Sequence, residues 1–278
     1  NDGSEIDIHS NGGKVTLEAG GPAGWHAGML AMSGGTTKIH GAKETVITAK
    51  DDGMSAAGGT NIIDGAGVAG DSVHINAGGA MYAVGMGLNK IMNVDDVYMG
   101  SEAKRVNFGM NVYNTGENSV ENAKHVGIYA KSDGMTAQGG YNITAKNSIQ
   151  ADDVTINVAN TAAGSNARGM YAKENTALNA ISAKDVDISV SGTKSSVGME
   201  AVNKGANTIT SDGGTVSVTA RGGESYGMYT RGGDATSNLN QSQNLIQGAS
   251  KVTVAADNIA MHSNRGTNTI KDITGTAG

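Results

Sequence analysis

Apolar and polar residues alternate in short runs along the whole chain. Val15-Thr16-Leu17-Glu18-Ala19, Val73-His74-Ile75-Asn76-Ala77, Val154-Thr155-Ile156-Asn157-Val158, Val186-Asp187-Ile188-Ser189-Val190, Val216-Ser217-Val218-Thr219-Ala220 and Val252-Thr253-Val254-Ala255-Ala256 all have a period of two. That period predicts a strand with one buried face. Two further elements recur between these runs. One is Gly-Met-x-Ala, as in Gly169-Met170-Tyr171-Ala172 and Gly198-Met199-Glu200-Ala201, with Gly227-Met228-Tyr229-Thr230 at the same spacing of 29 residues (198−169 and 227−198). Related segments stand at Gly28-Met29, Gly53-Met54, Gly85-Met86, Gly109-Met110, Gly127-Ile128, Gly134-Met135 and Ala260-Met261. The other is Asn-x-Ile/Val, at Asn61, Asn118, Asn179, Asn207, Asn244 and Asn268.

Three short strands per cycle, separated by Gly, Asn, Asp and Ser turns, predict a coil with three faces in which each strand pairs in parallel with its equivalent one coil later. The expected architecture is all-β: a right-handed parallel β-helix of roughly nine or ten coils. At about 4.8 Å per coil it makes a rod on the order of 45 Å long. Coils this long and irregular fit a right-handed helix better than the left-handed hexapeptide type, and no Gly-Gly-x-Gly-x-Asp series marks a calcium-binding roll. The repeat runs from about Val15 to Ile273 without a change in composition, so residues 1–278 read as one solenoid, a piece of a longer chain or of a filament.

The pattern also assigns sides. Glu200 occupies the third place of its Gly-Met-x-Ala unit, and a lone buried carboxylate is costly, so that place is expected to point outward and Glu200→Ala to be nearly neutral. Met and Ala then point inward. Met29, Met54, Met86, Met110, Met135, Met170, Met199, Met228 and Met261 are expected to stack as an unbranched filler of a narrow interior. The repeated asparagines read as a stacked amide ladder. Glu121 to Lys131 is the one stretch with helical character, more consistent with an irregular coil or a small bulge. The longest excursions, Ala159 to Arg168 and Gly232 to Gln243, are small and polar.

Composition narrows the function classes. Of 278 residues 43 are Gly and one is Pro, fitting a fold that turns three times per coil. The net charge is −6, with Lys and Arg scattered singly, so no basic stripe is expected and nucleic acid is not a predicted partner. There is no Cys, and no apolar run approaches the ~18 residues of a membrane span. Aromatics are scarce: one Trp, one Phe and eight Tyr. Tyr129, Tyr171 and Tyr229 are placed on the outward position of the Gly-Met-x-Ala strand and form the one candidate contact surface.

Candidate chemistry is sparse. Asp153 and Asp185 are expected in one outward column with Asp187 beside them and Asp152 at the turn, where carboxylates about 4.8 Å apart could hold calcium or raise one pKa. No neighbouring coil repeats them and no Arg opposes them, so they read as turn residues, like Asp51-Asp52 and Asp95-Asp96. The six histidines have no metal-ligand spacing, and there is no Gly-x-Ser-x-Gly elbow. The sequence therefore assigns no catalytic, cofactor-binding or metal residue, and no cofactor.

Taken together, the Val-x-Val strands, Asn-x-Ile turns and Gly-Met-Tyr-Ala units, with abundant Gly, Ser, Thr and Asn and no Cys, resemble the passenger region of Gram-negative autotransporters and related β-helical surface adhesins. The likeness covers nearly the whole chain and is one of composition and period. It implies a secreted or surface-displayed rod, exported unfolded, that binds a host or bacterial surface receptor or copies of itself as a homo-oligomer or filament. That family's translocating barrel has no counterpart in this sequence, which leaves the secretion route open. The expectation is a structural or adhesive rod and not an enzyme, and the alternative is a carbohydrate-active β-helix, a lyase or tailspike-type hydrolase.

Overall fold

The structure, a computed structural model, describes residues 4–140, 144–232 and 241–277. Its strands pair in parallel, each with the equivalent strand one turn later, in a right-handed parallel β-helix of about nine turns. No helix occurs among the described residues.

Three sheets run along the axis. The first holds the Asn-x-Ile units: Glu5–His9, Thr36–Ala42, Thr60–Gly65, Leu88–Met92 and their successors to Gly266–Lys271. The second holds the Val-x-Val runs, from Lys14–Ala19, Glu44–Ala49, Ser72–Asn76 and Asp96–Met99 to Lys251–Ala256. The third holds the Gly-Met-x-Ala units, from Ala27–Met32, Asp52–Ala57, Gly79–Val84 and Val106–Tyr113 to Ile259–Asn264. Mid-rod, Glu117–Gln138, Ala145–Asn160 and Ala177–Gly192 pass through corners without a break and contribute to more than one sheet.

The interior is a set of columns of like residues. Met29, Met54, Met81, Met110, Met135, Met170, Met199, Met228 and Met261 are matched in register from coil to coil. All but Met261, in the last coil, are almost completely buried. The first sheet adds Ile39, Ile63, Ile91, Val120, Ile149, Ile181, Ile209 and Ile246, and the second Ile47, Ile75, Met99, Ile128, Ile156, Ile188 and Val218. Glycine beside the methionine is a steric need: a Cβ on Gly198 would stand 2.2 Å from Val218 Cγ1 and 2.5 Å from the Gly227 carbonyl.

One expected member of the methionine column is wrong. Met86 is 78% exposed, at a positive φ of 66° in the turn between the third and first sheets. The unit of that coil is Gly79-Ala80-Met81-Tyr82-Ala83, with Ala at the glycine position, and the nearby Gly85-Met86 pair imitates it. Gly127-Ile128 likewise belongs to the second sheet, where Val126-Gly127-Ile128 pairs with Val97-Tyr98-Met99. The stretch 121–131 is strand, with a register shift between Val120 and Ala123 and Asn122 at positive φ, so it is a bulged corner. Residues 161–164 form a compact turn, and most of the excursion 232–243 lies outside the described residues.

Asparagine closes the corner between the third and first sheets. Asn61, Asn89, Asn118, Asn147, Asn179, Asn207, Asn244 and Asn268 share one column, and each Nδ2 donates to the next Oδ1 at 2.8–3.0 Å. The second Nδ2 hydrogen goes to the carbonyl of the residue after the methionine, for example from Asn179 to Tyr171 O (2.8 Å) and from Asn207 to Glu200 O (2.8 Å). Each amide therefore joins two coils and two sheets at once. Asn89 and Asn147 complete the set read from the sequence.

The ladder ends at Asn61, whose buried Oδ1 has no partner. The next position in the column is Thr37, whose hydroxyl donates to Leu30 O (3.3 Å) instead. Thr37→Asn would supply the missing donor while keeping the bond to Leu30, and should stabilise the first coils by about 1 kcal/mol. Asn179→Ala strands a donor, an acceptor and a carbonyl in the interior and should cost about 2–3 kcal/mol. Thermal melting with hydrogen exchange mapped to each coil measures both, and a destabilised Thr37→Asn variant would contradict the ladder's energetic role.

Candidate functional site

With Met and Ala turned inward, the residues before the glycine and after the methionine form the outer surface of the third sheet. The column after the methionine reads Leu30, Ser55, Tyr82, Asn111, Thr136, Tyr171, Glu200, Tyr229 and His262. Tyr82, Phe108, Tyr113, Tyr171, Tyr226 and Tyr229 all lie on third-sheet strands, whereas the second sheet carries only Tyr98 and Tyr129 and the first carries none among the described residues. The scarce aromatics are thus gathered on one side of the rod.

They form two groups. Tyr82 sits between Phe108 and Tyr113, with ring centroids 6.4 and 6.3 Å away. Toward the other end Tyr226, Tyr229 and His262 stack at 4.8, 5.1 and 5.7 Å. Between the groups runs a chain of charges. Arg168 binds Asp133 through two nitrogens (2.6 and 3.1 Å), lies 3.7 Å over the Tyr171 ring and reaches to 3.9 Å from Glu200. Arg231 Nε donates to Glu200 at 2.9 Å. Burial raises the pKa of the Tyr171 phenol.

Glu200 points outward as expected, yet it is only 5% exposed. Two arginines of the same sheet fold their long arms over it, so outward does not mean solvated here. The expectation of a neutral Glu200→Ala is therefore corrected. Removing the carboxylate leaves two crowded guanidinium groups, one still held by Asp133, and should cost about 1–2 kcal/mol, with a double-mutant cycle against Arg231→Ala measuring the coupling.

The three tyrosines read from the sequence do not form one surface. Tyr171 and Tyr229 share a column with Glu200 between them, and Tyr171 is 8% exposed beneath Arg168. Tyr129 is on the second sheet, in register with Asn157 and Ser189, because Gly127-Ile128 belongs to a Val-x-Ile strand. Of the missed members, Tyr82 follows Met81, whose unit has Ala in the glycine place, Phe108 and Tyr226 stand before the glycine of their units, and Tyr113 lies beyond the end of its unit.

Asp153 and Asp185 are in register, with Asp187 opposite Thr155, on the wall of a shallow concavity of about 610 Å³. Each of the first two is turned to its own partner. Asp153 Oδ2 is 2.9 Å from His125 Nδ1, and Asp185 Oδ1 accepts from Thr215 N (2.6 Å) and Oγ1 (2.8 Å), bonds that hold its pKa below the ordinary carboxylate value. Among the described residues no three acidic, His or Cys side chains converge as a metal site.

The outer third sheet also carries groups the sequence did not single out. Ser55 Oγ, Asn111 Oδ1, Thr136 Oγ1 and His262 Nδ1 are buried polar atoms without a hydrogen-bond partner among the described residues, and all four belong to the column after the methionine. Asp52, expected to be a turn residue, is 8% exposed on this sheet. Burial, then the charge of Asp51, raise its pKa from 3.8 to about 6. Asp51 itself accepts from His26 N (2.8 Å), the largest cause of its lowered pKa.

A raised carboxylate pKa favours the folded state when protonated, so this contribution is complete below about pH 4 and is lost as pH rises through about 6. With allowance for solvent screening, stability should fall by about 1–2 kcal/mol across that window. In Asp52→Asn that slope should vanish, and urea unfolding as a function of pH reads it directly. Comparison of the chain with protein families, with known proteins and with solved structures returns no match.

Proposed function

We propose that the chain is a structural and adhesive rod displayed outside a bacterial cell, which engages a surface receptor or copies of itself through the outer third sheet. The observation that carries this reading is the coincidence on that one sheet of six aromatic side chains with four of the five buried polar atoms that lack a partner among the described residues. Aromatic surface beside polar groups awaiting partners is the composition of an interface. Between Met32 and Glu117 the corners from the third to the first sheet are two or three residues long, so along that stretch no long loop walls off the sheet on that edge.

One observation favours a carbohydrate-active site instead. Asp52 has a raised pKa and Asp51 a lowered one, with the exposed Trp25 ring alongside, so two neighbouring carboxylates are pushed apart as an acid and a base would be.

Two measurements separate the readings. Electron microscopy over a concentration series and adhesion of chain-coated beads to bacterial and host cells test the rod. The quadruple variant Tyr82→Ser, Tyr113→Ser, Tyr226→Ser and Tyr229→Ser should lose adhesion or filament formation by about tenfold while keeping its β circular dichroism. Unchanged adhesion would remove the third sheet as the contact face. Release of reducing ends from a polysaccharide panel, abolished by Asp52→Asn, would establish the enzyme.

A further inference from the structure

The corner between the second and third sheets holds a concavity of about 330 Å³. Its wall includes Lys50, Lys104, Arg105 and Lys131 together with Thr48, Asn76 and Asn107. The four cations come from three of four successive coils, Lys104 and Arg105 from the same one, and Lys50 and Lys131 are three coil steps apart, about 14 Å along the axis. Lys50 and Lys131 stand far in sequence from the Lys104-Arg105 pair, and the period of the helix brings them together on a chain whose net charge is −6.

None of the four forms an ion pair among the described residues, whereas Lys14, Lys38, Lys90, Lys124 and Lys146 each have a carboxylate within reach on a neighbouring coil. The nearby acids are committed elsewhere: Asp51 to His26, and Asp133 to Arg168. Glu102, in the same turn as Lys104, is not part of the wall. Arg105 is held in place by its Nη1, which donates to Asn157 O (2.8 Å) and Ala130 O (3.4 Å) in the following coils. A guanidinium has five N–H donors, so Nε and Nη2 are left free for a ligand.

We propose that this corner is a binding site for an acidic saccharide, bearing uronate or sulfate groups. Four cations without an ion pair supply the charge complement, Lys50 Nζ donating only a long bond to Gly21 O (3.5 Å), and Arg105 offers a fork suited to a planar or tetrahedral oxyanion. Thr48, Asn76 and Asn107 bring hydroxyl and amide groups that match sugar hydroxyls. A nucleic acid fits less well, since the basic surface spans only four coils and phosphate binding gains affinity from long tracks of such contacts.

The site is independent of adhesion through the third sheet, and its test uses different variants. Calorimetric titration of the full chain with a heparin tetrasaccharide at physiological salt should show saturable binding, and maltotetraose none. Lys50→Ala, Lys104→Ala and Lys131→Ala together should weaken the affinity by at least about tenfold, and Arg105→Lys by a smaller factor. The exposed set Lys184→Ala, Lys194→Ala and Lys251→Ala changes net charge equally and should stay within about twofold. Absence of heparin binding, an equal loss in the control set, or equally tight binding of hexaglutamate or a short single-stranded oligonucleotide would each overturn the proposal.

Discussion

A side chain inside a parallel coil stack must be compatible with itself, because its neighbour along the axis is its own counterpart one turn later. Asparagine meets that condition as few residues do: its amide donates along the axis on one side and accepts on the other, and it has a second donor to spare. In this chain the spare donor goes to the carbonyl after the methionine. One side chain thus sets both the axial register and the closure of the triangular cross-section. Methionine, unbranched and soft, fills the space beside it without demanding a partner of fixed shape.

That constraint leaves the outside free. Since cohesion is carried by the ladder, the inward columns and the backbone bonds between coils, outward positions can change chemistry from one coil to the next. The column after the methionine shows this, passing from Ser55 through Tyr82 and Thr136 to Glu200 and His262. Recognition can be placed on such a surface with little cost to the fold. Where outer residues pack among themselves, as Asp133, Arg168, Tyr171, Glu200 and Arg231 do, the surface becomes a thin second core, and substitutions there affect stability as well as contact.

The evenly spaced units around Met170, Met199 and Met228 made the inward column readable, because regular spacing fixes register without reference to distant residues. Irregular coils hid theirs. Ala80 in the glycine position concealed Met81, and Gly85-Met86 offered a false match in a turn. Tyr129 was misplaced for a related reason, since glycine occurs in the second sheet too: a Cβ on Gly127 would come 3.0 Å from the Tyr98 ring and 3.1 Å from that of Tyr129. The burial of Glu200 was not readable because alternation gives direction and not depth; depth came from arginines 32 and 31 residues away. The cluster of Lys50, Lys104, Arg105 and Lys131 was invisible to a scan for basic runs, since Lys104-Arg105 is only a pair and the coil period alone brings Lys50 and Lys131 beside it.

The same period joins the two surfaces. Asn107, on the wall of the basic corner, immediately precedes Phe108 of the aromatic group, so the corner and the Tyr82–Phe108–Tyr113 patch meet at one edge of the rod. Each step along that edge advances by one coil, and the interior fixes its length. A polymer lying parallel to the axis would meet charge on one side and rings on the other at a constant rise. A globular ligand would use only one of the two, which makes the rod's periodic geometry itself a selector for extended partners.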